Sequence, residues 1–155
     1  MEDRAMKKSF LILVFILILA TLYGQSYRGS YSASQYDLLN EKYCSGLFKS
    51  TEGNIIDVLN ETSAATYMNV LDWLQGRVAG LQIYKSRTGV SIPYIRGSQA
   101  RIFVDEMPMD PGFLTMLPAA DIAMVKVIKA PFAGSFGNAS AVAIYTIQPE
   151  EDEEH

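Results

Sequence analysis

The stretch that decides the fold is residues 71–83, which read Leu-Asp-Trp-Leu-Gln-Gly-Arg-Val-Ala-Gly-Leu-Gln-Ile. Apolar residues recur there at steps of three or four, at Leu71, Leu74, Val78 and Leu81, so they share one face of a helix. The second glycine of the stretch stands where such a helix would end, and the residues after it alternate as a strand does. The pattern predicts an amphipathic helix that packs its apolar face on a β-sheet.

Outward from this stretch, apolar runs and turn residues predict the other elements. Asn54 precedes a short apolar run, as the capping residue of a helix does. Residues 122–128 are almost wholly apolar, which is typical of a strand buried on both faces. The sequence therefore predicts an α+β fold, a small mixed β-sheet of four to five strands packed by two helices. The predicted helices are residues 54–61 and 67–80, and the predicted strands are residues 81–84, 92–96, 101–104, 124–129 and 141–147, the last pairing back on residues 125–128.

One core is expected between the main helix and the sheet. It should contain the apolar helix face and the inward-facing residues of the strands. Leu74 belongs to that helix face, so its truncation should leave a cavity in the core. The residues expected to be buried together are Leu71, Leu74, Val78, Leu81, Ile83, Val104, Val125, Val127, Val142 and Ile144.

The N-terminus has the features of an export signal. Residues 10–20 form an unbroken apolar run, and Lys7 and Lys8 precede it. The run is shorter than the roughly 20 residues that span a bilayer, but it has the length and flanks of a secretory signal peptide. Gly24 is the small residue before the best cleavage position. We therefore expect a signal peptide at residues 1–24 and a mature chain that begins at Gln25.

Acidic residues are concentrated at the C-terminal end. Removing residues 1–24 takes away three of the 13 basic and two of the 17 acidic residues, which leaves 10 bases, 15 acids and a net charge of −5. Five of those acids lie in residues 149–155, which we interpret as an acidic tail. This distribution lacks the basic surface that nucleic-acid binding requires. We expect a poorly ordered lead over residues 25–53, with a helical turn at residues 36–43, and a folded domain over residues 54–148.

The chain has few of the residues that build catalytic or metal sites. Its one His is His155 and its one Cys is Cys44, which disfavours Ser-His and Cys-His nucleophiles and zinc-type ligand sets. Asp105 and Glu106 are adjacent, and adjacent side chains of a strand point to opposite faces, which disfavours paired acid–base catalysis. We therefore expect a protein that is not an enzyme and has no cofactor or metal. Cys44 is expected to pack as a small apolar residue.

Five short motifs in residues 69–147 together resemble one known family. They are the glycine-containing stretch quoted above, Ile95-Arg96-Gly97, Val104-Asp105-Glu106-Met107-Pro108, the segment from Pro118 through Asp121 and Ile122 to the strand with Val125, Lys126, Val127 and Lys129, and Phe136-Gly137-Asn138 followed by a small-apolar strand. In this order they resemble the plug domain of TonB-dependent outer-membrane receptors.

The chain also departs from the receptor pattern. Receptor plugs usually have Gly at the position of Glu106, and a receptor continues from its plug into a long transmembrane barrel, whereas this sequence continues into the acidic tail. The resemblance implies a non-catalytic, exported plug-like interaction domain of the bacterial cell envelope without the transport barrel. It implies a location in the periplasm or at the periplasmic face of the outer membrane. Its partner would be an outer-membrane barrel or another envelope protein, with no transmembrane span after signal cleavage.

Two other functions stay open, and so does the role of one arginine. The chain is alternatively a periplasmic small-ligand-binding protein, with a concave pocket lined by Tyr and Trp, or the remnant of a truncated receptor. In receptors, the Arg of the Ile-Arg-Gly box resembles a docking charge that pairs with carboxylates on the barrel wall. Here Arg96 pairs inside the domain with Asp105 or Glu106, waits at the surface for a partner, or is an ordinary solvated charge.

Overall fold

A computed structural model describes residues 34–133 and 139–148 of this chain. The predicted signal peptide, the first part of the lead, the Phe-Gly-Asn motif at residues 136–138 and the acidic tail lie outside the described residues. The expectations for them remain predictions. Within the described ranges, no helix combines the length and the apolar character that crossing a bilayer requires.

A five-stranded mixed sheet forms the body of the domain. Its strands are β1 (Asn54–Asp57), β5 (Arg101–Val104), β6 (Met107–Met109), β7 (Ile122–Ile128) and β8 (Ala141–Thr146), in the order β1-β7-β8-β5-β6. β5 and β8 pair in parallel and the other pairs are antiparallel. β7 is buried at every position, as its apolar run predicts. β8 returns along β7 with Val125 opposite Ile144, which confirms the predicted pairing.

A second, three-stranded antiparallel sheet is formed by β2 (Leu81–Lys85), β3 (Ser91–Ile95) and β4 (Ser98–Gln99). The sequence predicted one sheet, but these strands return on themselves through tight turns and pair only with one another. Leu81, Ile83 and Ile95 are buried on one face of this sheet, as strand alternation requires. The two sheets, together with the α-helices of the described residues, confirm the α+β class.

The main helix is shorter than predicted. It is helix α3 (Val70–Leu74), whereas the periodicity predicted residues 67–80. Asn69 caps its N-terminus by accepting a hydrogen bond from the backbone N–H of Leu71 at 2.9 Å. Gly76 has φ +78°, outside the helical region, so the chain leaves the helix there and reaches β2 through turns. The apolar face nevertheless survives, because Val78 and Leu81 are still buried beside the helix.

The helix predicted at residues 54–61 is wrong, since Asn54–Asp57 is strand β1 at one edge of the five-stranded sheet. Ile55 and Ile56 are β-branched and favour a strand, and they face Lys126 and Val125 of β7. Asp57 ends the strand by accepting a hydrogen bond from the backbone N–H of Asn60 at 3.1 Å.

The lead contains two helices. The first coincides with the helical turn predicted at residues 36–43, and together they correct the expectation of poor order for the described part of the lead. They are α1 (Gln35–Tyr43) and α2 (Gly46–Ser50). Ser34 and Asp37 form a capping box that starts α1, with the Asp37 carboxylate accepting from the Ser34 N–H at 3.0 Å. Tyr43 and Phe48 are buried, although the Ser- and Tyr-rich sequence around them showed little periodicity.

Apolar side chains fill both faces of the five-stranded sheet. One cluster lies with α3 and the three-stranded sheet, and it contains all ten residues that the sequence predicted to be buried together. The other cluster lies under α1 and α2. There the Phe48 ring meets the rings of Phe103 and Phe132, with centroids 5.1 and 4.7 Å apart. The sheet is therefore covered on both faces within a single chain.

Candidate functional site

Arg96 occupies the tip of the turn between β3 and β4. With Gly97 it forms the two-residue loop of a hairpin, and both residues have positive φ, +54° and +80°. This is the pattern of a type I′ turn, which explains why a glycine follows the arginine. The Arg96 side chain is exposed, and in the part of the chain that the structure describes no carboxylate forms an ion pair with it.

Asp105 and Glu106 form a second turn of the same kind, between β5 and β6. Their φ values are +46° and +66°, and Val104 pairs with Met107 across the turn. The Asp105 carboxylate accepts hydrogen bonds from the backbone N–H of Thr146 at 2.9 Å and from its hydroxyl at 2.8 Å. Asp105 therefore joins the turn to the end of β8. Strand β6, which follows this turn, was not predicted from the sequence.

Glu106 connects the same turn to the helical lead. Its carboxylate accepts hydrogen bonds from the backbone N–H of Ser45 at 2.6 Å and from the Ser45 hydroxyl. Ser45 is the residue that caps α2, and the Tyr145 hydroxyl donates to Glu106 at 3.4 Å. Residues other than Gly lose conformational stability at φ +66°. The hydrogen bonds from the Glu106 carboxylate to Ser45 offset this cost, and they hold α2 in place.

The three residues that the sequence singled out are therefore not one site. Asp105 binds Thr146 and Glu106 binds Ser45, whereas Arg96 points from a different sheet into solvent. Three roles were left open for Arg96. The first, an ion pair with Asp105 or Glu106, does not occur among the described residues. The contacts of Glu106 span 61 residues, and the one signal in the sequence that could have revealed them is Glu at a turn position where Gly is usual.

A buried lysine, Lys126, is a feature to which the sequence analysis gave no functional role. Lys126 lies in the middle of β7 and is 2% exposed. Its ammonium group donates to the Asn40 side chain at 2.7 Å and to the Phe48 carbonyl at 2.6 Å, so it binds both α1 and α2. Both acceptors are neutral. Burial therefore lowers the pKa of Lys126, and Cys44 and Glu106, in their ionised forms, act in the opposite direction.

Two further titratable groups are buried beside this lysine. Burial raises the pKa of the Cys44 thiol, and the hydrogen bond with Tyr145 acts in the opposite direction. Burial also raises the pKa of the Tyr145 hydroxyl, and its hydrogen bond with Cys44 adds to that shift. Both groups are therefore protonated at neutral pH, and Cys44 packs in the cluster under α1 and α2 as a buried residue.

A polar cleft of about 600 Å³ opens between α1, α2, the β1–β7 edge of the large sheet and the Arg96 turn. Its lining includes four cationic side chains, Lys49, Arg96, Lys126 and Lys129, and two carboxylates, Asp37 and Glu52. We call it the cation cleft.

The cation cleft is not the Tyr- and Trp-lined pocket expected of a ligand-binding protein, because its lining contains neither residue type. Trp73 is 1% exposed and donates its indole N–H to the Ser63 hydroxyl at 3.0 Å, so it belongs to the core. Among the described residues, no group of His, Cys, Asp and Glu side chains is arranged to hold a metal ion.

These features define a small α+β domain with two covered sheet faces and an exposed arginine turn. The family model of the TonB-dependent receptor plug domain matches residues 51–144. The match covers more than half of the 155 residues, so this chain belongs to that family. Helices α1 and α2 precede the matched region. No curated protein matches the chain.

Solved receptor structures contain a similar fold. The siderophore receptor PirA from Acinetobacter baumannii aligns with a TM-score of 0.51 and 22% identity, over 64% of this chain and 18% of that chain. The RagAB peptide importer in the closed-closed state aligns with a TM-score of 0.50 and 24% identity, over 65% of this chain and 13% of that chain. This chain therefore spans less than a fifth of the receptor chains whose fold it shares.

Proposed function

We propose that this protein is a non-catalytic, exported plug-like interaction domain of the bacterial cell envelope. It acts in the periplasm or at the periplasmic face of the outer membrane. It docks through the Arg96 turn on carboxylates of an outer-membrane barrel or of another envelope protein. Family membership supports the envelope setting, and the Arg96 turn supports the docking role.

The observation that carries the proposal is the state of Arg96. A two-residue turn holds its backbone firmly, while its guanidinium group is exposed and forms no ion pair with the described residues. A guanidinium group binds a carboxylate through two parallel hydrogen bonds, which gives a rigidly held arginine both affinity and directional selectivity. The turn is therefore suited to an acidic partner surface.

The covered sheet supports docking at the turn over docking through a broad apolar face. Tyr43 and Phe48 of the lead occupy the face opposite α3, and the core residues of the other face are buried beneath α3 and the small sheet. A partner therefore cannot reach the faces of the five-stranded sheet, whereas the Arg96 turn is exposed. The lining of the cation cleft gives less support to a small-ligand-binding protein, because it lacks aromatic side chains.

Arg96→Ala tests the proposal when two quantities are measured on the same protein. We expect the free energy of unfolding to change by less than about 1 kcal/mol, as for a solvated charge. We expect retention of the protein by isolated outer-membrane vesicles to fall at least tenfold. The vesicles would be prepared from the producing bacterium, and binding would be measured by co-sedimentation.

Arg87→Ala is the matched control. Arg87 is also an exposed arginine of the three-stranded sheet, but it lies in the loop at the other end of β3. Its removal should leave vesicle binding unchanged. Equal losses from the two variants would mean that net charge, rather than the Arg96 turn, controls the interaction. Unchanged binding by Arg96→Ala would remove the basis of the proposal.

A further inference from the structure

The cation cleft contains more positive charge than its own carboxylates balance. Four cations line it against the carboxylates of Asp37 and Glu52, and Glu41 adds a third carboxylate beside the lining, so the cleft has one more cation than carboxylate. Lys49 pairs with Glu41 at 2.5 Å. Lys129 forms no ion pair among the described residues, so it remains available, together with Arg96, at the mouth of the cleft.

The buried end of the cleft is also positive. The Lys126 ammonium has three N–H donors, and its two recorded acceptors, the Asn40 amide oxygen and the Phe48 carbonyl, are both neutral. A buried charge that is bound only by neutral dipoles is stabilised by any anion that enters nearby. The cleft therefore favours a carboxylate-bearing ligand.

This chain contains a segment of that chemistry outside the described residues. Residues 150–154 read Glu-Glu-Asp-Glu-Glu. We propose that the cation cleft binds residues 150–154 of a second copy of this chain, so that two molecules associate through reciprocal tail-to-cleft contacts. This inference goes beyond the docking function proposed above and does not depend on it.

The sheet register favours a second copy over the same molecule. Thr146 pairs with Ile122, whereas Lys129 follows the opposite end of β7, so the tail leaves the sheet at the end away from the cleft. The seven residues of β7 span about 23 Å at roughly 3.3 Å per residue. Glu150 lies four residues beyond Thr146 and reaches at most about 14 Å. At the same spacing only Glu153 and Glu154 reach as far as Lys129, so the cleft of the same molecule cannot hold the whole run of acids, whereas a second copy can present all five.

Sedimentation equilibrium of the purified full chain tests the proposal directly. We expect association at about 0.01 M salt that is lost at about 1 M salt, because the Debye length falls from about 30 Å to about 3 Å. Replacing the five tail acids by Gln and Asn should abolish association. Lys129→Gln should weaken it roughly threefold, as removal of one partly exposed ion pair does. Arg87→Gln removes a distant exposed charge and should leave it unchanged.

A mixing experiment distinguishes tail-to-cleft contact from other charge effects. One variant carries a neutral tail and an intact cleft, and the other carries Arg96→Gln and Lys129→Gln with an intact tail. Each should be monomeric alone, and together they should form a heterodimer. A mixture that stays monomeric while the wild type associates would overturn the proposal, as would a wild type that is monomeric at low salt.

A small-anion site is the remaining alternative outcome. If the neutral-tail variant binds inorganic phosphate in a manner that depends on Lys129, while the wild type does not self-associate, the cleft is a site for free anions and the proposal fails. These measurements contain no envelope material. Their failure therefore leaves the vesicle-binding result for Arg96 unaffected, and the reverse is also true.

Discussion

Glu106 provides a test of how the helical lead is held on the plug fold. Glu106→Ala removes the hydrogen bonds to the Ser45 backbone N–H and hydroxyl while keeping a side chain at φ +66°. Hydrogen bonds to a charged group make a net contribution of about 1.5–3 kcal/mol to stability. We therefore expect the free energy of unfolding of Glu106→Ala to fall by about that amount. Glu106→Gly loses the same bonds but relieves the left-handed backbone, which costs about 1–2 kcal/mol for other residues.

The expected order of stability is therefore wild type, then Glu106→Gly, then Glu106→Ala. The two variants should differ by about 1 kcal/mol in free energy of unfolding, measured by urea denaturation. Amide hydrogen exchange should become faster in α1 and α2 before it does so in β7. Arg96→Gly is the matched control, because it relieves a similar backbone at φ +54° without breaking a recorded contact, and it should be at least as stable as the wild type. A Glu106→Ala protein as stable as the wild type would refute the holding role of this carboxylate, because that variant keeps the strained backbone and loses only the hydrogen bonds.

Three further predictions concern the core, the buried titratable groups and export. Leu74→Ala should destabilise the domain by about 2–5 kcal/mol in urea denaturation, because Leu74 is fully buried, and a loss below about 1 kcal/mol would contradict its core position. Burial raises the folded-state pKa values of Cys44 and Tyr145 above 9.0 and 10.0. The stability that the two protonated groups give the folded state is therefore present below pH 9 and is lost as the pH rises. Lys126 has a lowered pKa and opposes this trend, but Cys44→Ala should still reduce the loss of stability between about pH 9 and 10, and an unchanged slope would contradict the assignment to the thiol. N-terminal sequencing of the protein from an envelope fraction should begin at or near Gln25, and a stable product that retains residues 1–24 would indicate a membrane anchor.

The core could be predicted from the sequence because it depends on local periodicity. The steps from Leu71 to Leu81 identified the buried face, although Gly76 ends the helix earlier than the pattern suggested. The run in β7 likewise identified a strand buried on both faces. Such patterns indicate which face of a segment is apolar, but they do not indicate the residue at which the helix ends.

The parts that could not be predicted depend on contacts between distant segments. Residues 54–57 became a strand because β7 offered an edge to pair with, which outweighed a helix-cap signal at Asn54. Lys126 meets Asn40 across 86 residues, and Glu106 meets Ser45 across 61. No window of sequence contains both members of these pairs. The sequence therefore could not predict how the lead packs on the sheet or that the cation cleft forms there.

The Arg96 turn is the proposed point of contact with an envelope partner. A photoreactive amino acid at Ser98, an exposed residue two positions from Arg96, would record what lies against the turn in the producing cells. The same group at the exposed Thr88, at the other end of β3, is the control. If the Arg96 turn docks as proposed, position 98 forms a defined adduct with an envelope protein. That adduct is lost in Arg96→Glu and is absent from position 88. No adduct at position 98, or one that persists in Arg96→Glu, would contradict the proposed docking.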